Sequence, residues 1–402
     1  MSAELTIGFL PLVDACLPIL AREHGFAEEE GLSLRLVKDM SWATVLDRLL
    51  YGHSDAAHLL APLAIAATLG RGRPAQPLSV PMVLGLNGNA ITLHPDIADR
   101  IAPKGALADP AEAGAALAIV AKQRKDAGQP LRFGVVHRYS SHNYMLRYWL
   151  AACSIRPDRD VEIEIVPPPF CADALEAGEV DGICVGEPWN SVAVERGAGR
   201  IVLVTAQIWR RGVEKVLALR EPTLDARRSE VEALVRALVR TAAHFVDPEN
   251  WEANAAILAR PEYLDGDAVL IRRAISDHPL LARGEPPFHV PDFMFQYREA
   301  ATFPWVSQAE WLYTQMLRWD ALPFDPEEAR RAAAVFRPDV YRSALTGSGE
   351  PLPGASSKVE GSLSGPTSVG TQQGEITLES NRFFDGKMFD PTHLDRYLAS
   401  LP

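Results

Sequence analysis

Residues 131–152 read LRFGVVHRYSSHNYMLRYWLAA. The first six form a short apolar run that predicts a strand. Ser140, Ser141, His142 and Asn143 are all good N-cap or first-turn residues, and a helical pattern follows them. A strand, a polar turn and a free helix start make an anion pocket, because the first backbone N–H groups are unpaired and the dipole end is positive. His142 stands where a side-chain donor joins them.

The same alternation extends in both directions. Strands are expected over residues 5–9, 32–37, 78–84, 161–166, 180–185 and 201–205, with helical patterns between them, one of them capped by Ser41. This predicts parallel sheets covered by helices. From residue 224 onward the pattern is nearly all helical. Residues 346–380 are rich in Gly, Ser, Thr and Pro and read as a flexible linker. A short apolar anchor, FFDGKMFD, and a terminal helix follow it. Two βα sheets with a helical return imply two lobes closing on a ligand at the carboxyl ends of the strands.

The chain has 402 residues and a net charge of -12, which argues against nonspecific binding to nucleic acid or anionic membranes. The N-terminal MSAELTIGFLPLVDACLPIL lacks a basic n-region, and Glu4 and Asp14 interrupt its apolar run, so it reads neither as a signal peptide nor as a membrane span. The four cysteines show no metal-type spacing, and reduced thiols fit a cytoplasmic protein. No metal or cofactor is implied, and no Gly-rich phosphate loop, HExxH or GxSxG is present.

Four residues stand out as ligand groups: Trp42 at a helix start, Asn89 in LNGNAIT beside Gly85 and Gly88, His142, and Lys215 in an apolar strand. Each has a plainer reading, as a core anchor, a turn, a cap and a snorkelling side chain respectively. Together they supply what a small flat anion needs: a fixed positive charge, in-plane donors and an aromatic face. At roughly 4 Å and an effective dielectric near 20, one Lys–anion pair contributes about 4 kcal/mol before desolvation. Strand alternation sends either Glu214 or Lys215 into the cleft, not both: Lys inward makes an anion site, Glu inward a cationic or metal-assisted one. Ser141, Glu187 and Gly88 stand behind these groups, and for Glu187 a purely structural role is the plainer reading. Cys171 and His142 suggest a Cys/His pair whose geometry nothing in the sequence fixes.

The blocks FLPLVDACLPILA, DAAHLLAPLAIA, LGLNGNAITL, HNYMLRYWLAA, VPPP, DGICVGEPWN, EKVLALR, FPW with SQAEWLYTQMLRW, and FFDGKMFDP together resemble the nitrate/bicarbonate substrate-binding protein family of ABC transporters. The resemblance runs from residue 5 to about 345 and resumes at 383. It implies an α/β fold of the periplasmic-binding-protein type II, a C-clamp with two lobes around a ligand cleft. Residues 1–90 and 215–345 would form the first lobe, 91–214 the second, 346–380 the linker and 381–402 the anchor segment. By motif match the family's anion ligands fall on Trp42, Asn89, His142 and Lys215, which turns Lys215 inward and favours nitrate or nitrite. Asn89 departs from the family's usual Gln. Because the sequence begins directly at the first strand, it also looks like the cytoplasmic NasS-type nitrate/nitrite sensors. The expectation is a non-enzymatic sensor that holds an RNA-binding NasT-type antiterminator and releases it on ligand binding. The alternatives are a periplasmic nitrate-binding ABC component and, more remotely, a pyrimidine-precursor enzyme on the same fold.

Overall fold

The computed structural model describes residues 2–372 and 374–401. The strands, in chain order, are β1 (Ala3–Phe9), β2 (Leu32–Lys38), β3 (Ala56–Leu60), β4 (Leu78–Asn87), β5 (Asn89–Leu93), β6 (Leu131–Val135), β7 (Val161–Ile165), β8 (Gly182–Gly186), β9 (Arg200–Val204), β10 (Val213–Arg220), β11 (Met294–Phe295), β12 (Thr367–Thr371) and β13 (Gly374–Leu378). They form two main sheets, ordered β11-β4-β10-β3-β1-β2 and β7-β6-β8-β5-β9, with β12-β13 as a separate hairpin. Each main sheet with its helices is one lobe of a periplasmic-binding-protein type II clamp.

The sheets are mixed rather than parallel throughout. β1 pairs in parallel with β2 and β3, and β6 with β7 and β8, as βα alternation requires. β10 runs antiparallel to β3 and β4, and β5 antiparallel to β8 and β9. These are the strands that carry the chain between lobes. β4 and β5 are nearly continuous and are separated by Gly88 at φ +84°, a left-handed conformation that glycine adopts without steric cost. A strand that crosses directly into the other sheet enters it against the local βα direction.

Two helices that frame the cleft start as their sequences predict. Ser140 is the N-cap of the Ser141–Ala152 helix, and its hydroxyl accepts from the Asn143 N–H at 3.1 Å. Ser41 caps the Trp42–Leu50 helix and accepts from the Thr44 N–H at 3.2 Å. After β10 the chain returns through helices, the longest being Arg228–Val246, which packs on the Cys16–Glu23 helix.

The described residues of 346–380, expected as a flexible linker, are built onto the body. They carry the β12-β13 hairpin and bury Leu352, Glu360 and Leu378. Glu360 accepts from the Ser307 hydroxyl at 2.8 Å and pairs with Lys358. The segment beyond forms a strap. Phe383 stacks on Trp209 (centroids 5.0 Å apart) and Trp311 (5.6 Å). Tyr148, on the helix that carries His142, donates its hydroxyl to Asp385 at 3.0 Å. The strap thus joins a helix of each lobe. Composition predicts linker character because small polar residues dominate; it does not register that the few apolar and charged side chains find partners on the folded body.

Candidate anion site

The structure brings Trp42, Asn89, His142 and Lys215 to the contact between the lobes, each at most 1% exposed. Trp42 and Lys215 come from the first sheet and its helices, and His142 from the second lobe. Asn89 is the first residue of β5 and pairs with Gly186, so it also belongs to the second sheet. A Cβ on Gly186 would lie 3.2 Å from Asn89 Oδ1 and 3.4 Å from Asp14 Oδ2, so glycine there lets β8 approach both. The Val13 N–H donates to the Glu187 carbonyl at 2.8 Å, closing the two lobes beside the site.

Lys215 Nζ lies 2.7 Å from Asp14 Oδ2 and 2.6 Å from Glu214 Oε1, and 5.3 Å from the centre of the Trp42 ring. Burial works to lower the ammonium's pKa, but the two carboxylates outweigh it and leave it above the ordinary lysine range. Asp14 is held by a third group, His58, whose Nε2 is 2.9 Å from Oδ1. Burial works to raise Asp14, yet Lys215 and then His58 hold it well below the usual carboxylate range. His142 Nδ1 stands 3.2 Å from Glu214 Oε1, at contact distance but off the hydrogen-bonding direction, and neither ring nitrogen has a hydrogen-bond partner among the described residues. Burial, opposed by Glu214, pushes His142 down to about 4, so its ring is neutral at pH 7 with one N–H to donate. Trp42 Nε1 is likewise unpartnered, as is Asn89 Oδ1. Buried polar atoms are rarely left without partners, so this concentration marks a place built to receive one.

Glu214 and Lys215 both point into the cleft, against the expectation that alternation would admit only one. The cause is a slip in the ladder between β10 and β4: Val213 pairs with Leu86, but Lys215 pairs with Gly85 rather than Leu84. Three residues of β10 oppose two of β4, and such a bulge puts neighbouring side chains on one face. Asp14 and His58 were not expected in the cleft. Asp14 interrupts an apolar run and His58 sits alone in AAHLL, and a polar residue within a buried apolar stretch is the signal that could have found them.

Of the groups expected behind the site, Glu187 is buried and its Oε2 accepts from the Ser191 N–H at 3.2 Å. Burial raises it to about 7. The Ser141 hydroxyl is buried and has no hydrogen-bond partner among the described residues. Cys171 does not join His142: its thiol donates to the carbonyls of Val166 and Pro167, and burial pushes it up to about 12. Among the described residues no group of three or more His, Cys, Asp or Glu is placed to hold a metal ion, and no helix is long and apolar enough to cross a membrane.

A two-lobed α/β clamp with unpartnered polar groups buried at the lobe contact is the architecture of a ligand-binding protein. The chain belongs to the NMT1-like family, which it matches over residues 1–259. It is 29% identical to the nitrate/nitrite binding protein NrtA of Nostoc, over 100% of this chain and 86% of that one. It is 33% identical to the nitrate import ATP-binding protein NrtC of Synechocystis over 87% of its own length, and spans 51% of that longer protein. The crystal structure of the periplasmic nitrate-binding protein NrtA from Synechocystis superposes with a TM-score of 0.85 at 26% identity, covering 100% of this chain and 99% of that one. The alkanesulfonate-binding protein SsuA of Xanthomonas shares the fold at 16% identity, TM-score 0.55, covering 80% of this chain and 95% of that one.

Proposed function

We propose that this chain binds nitrate or nitrite between its lobes, as the ligand-binding component of an ABC-type nitrate uptake system. The observation that carries the reading is the set of buried donors around one ammonium: Lys215, with Trp42 Nε1 and the His142 ring still unpartnered. Asn89 supplies the amide, and Ser141, Glu187 and Gly88 shape the ground behind these four. A planar anion with acceptors at its corners matches donors spread around a charge, and the low dielectric strengthens each contact. The names of the similar NrtA and NrtC proteins point the same way. All four residues are shut away from solvent, so binding runs through opening and closure, and the ligand stabilises the closed form by its preference for it. A thermal-shift comparison of nitrate, nitrite, sulfate and chloride tests this: the two nitrogen oxyanions should raise the melting temperature at concentrations where the others do not.

A second reading keeps the same ligand in a cytoplasmic setting, where the chain is a sensor that holds a NasT-type antiterminator and releases it when nitrate or nitrite binds. It is favoured by the four cysteines, all of them free thiols. Co-purification of the antiterminator, lost on adding nitrate, supports the sensor; co-purification with permease subunits supports the transporter component.

A further inference from the structure

Glu214 sits where a ligand oxygen would sit. Its Oε1 is 2.6 Å from Lys215 Nζ and 3.2 Å from His142 Nδ1, two of the four groups proposed to hold the anion. A carboxylate offers two oxygens on a planar centre with one negative charge, the same edge that nitrate or nitrite presents. The ladder slip in β10 places it there; an unbroken strand would turn it to the opposite face.

The two carboxylates on Lys215 are held differently. Asp14 is anchored on its far oxygen by His58 and is a fixed counter-ion. Glu214 makes one hydrogen bond among the described residues, to Lys215 itself. It is therefore the partner that can leave. The charged and titratable groups facing it are Lys215 on its own strand, His142 from the second-lobe helix, Asp14 from the turn after β1, His58 of β3 and Cys184 of β8.

We infer that Glu214 is an internal competing anion, which occupies the ligand's seat on Lys215 beside His142 in the closed molecule and must swing away when nitrate or nitrite binds. The inference rests on the anion-binding reading above. It makes Glu214 a determinant of affinity rather than a ligand.

Calorimetric titration of nitrate into the wild-type chain, Glu214→Gln and Glu214→Ala at pH 7 tests it, with folding checked by circular dichroism. The expected result is at least tenfold tighter binding in whichever variant folds. A folded variant that binds nitrate as the wild type does, or more weakly, overturns the inference and leaves the anion-binding reading standing. If neither wild type nor variants bind nitrate or nitrite, that reading falls and this inference with it.

Discussion

Lys215 Nζ sits between Asp14 and Glu214 and over the face of Trp42, so the charge that would attract an anion is already shared. Lys215→Glu leaves three carboxylates and no ammonium in the cluster. It is expected to abolish nitrate binding in calorimetry; a Kd unchanged from wild type would contradict the site. Trp42→Phe keeps an aromatic face but removes the unpartnered indole N–H. One hydrogen bond to a charged group contributes about 1.5–3 kcal/mol, so nitrate should bind roughly ten- to a hundredfold more weakly, and an unchanged Kd would exclude that donor. Glu187 gives a pH-dependent prediction. Its folded pKa is raised from 4.5 to about 7, so its contribution to stability is complete below the lower value and lost as pH rises through the upper one. Ionisation at pH 8 then costs up to about 3 kcal/mol, and Glu187→Gln should raise the melting temperature more at pH 8 than at pH 5. Equal shifts at both would contradict the buried carboxyl. That Trp42, Asn89, His142 and Lys215 come together was legible in the sequence through the blocks that carry them. Asp14 and His58 were not, because they reach the site only when the turn after β1 and the strand β3 are folded beside β10.

At the scale of elements, the helix starts were readable because capping is local: Ser140 and Ser41 each accept the N–H three residues on. The direction of β5 and β10 was not, since βα alternation says nothing of a strand that crosses between lobes. The β10 slip depends on pairing with β4, which no single-strand periodicity contains. Residues 346–380 show the largest difference between reading and structure, while the FFDGKMFD stretch beyond them docks as the anchor its composition predicts. Phe383 is buried against Trp209, Trp311 and Tyr148, and cutting its ring away should cost about 3–5 kcal/mol. Phe383→Ala is expected to lower the denaturation midpoint accordingly, and a midpoint unchanged in urea would show that the strap is not docked in solution. Because Tyr148 and His142 share one helix, the same variant should also loosen nitrate binding.

At the scale of the molecule, two sheets meet through strands that pass from one to the other, and the candidate anion site lies where the lobes touch. The two-lobed fold was legible from the βα alternation and the resemblance. The closed state was not, because closure depends on contacts between residues far apart in sequence, such as the Val13 N–H with the Glu187 carbonyl and Arg138 with Asp320 at 2.7 Å. A net charge of -12 gives no general attraction for anions, so any affinity must come from the local donors. The measurement that bears most directly on this account is calorimetric titration of nitrate into the purified chain at pH 7. The account predicts saturable binding in the micromolar range or tighter, roughly -8 kcal/mol. No saturable heat from either nitrate or nitrite at millimolar concentration would contradict it.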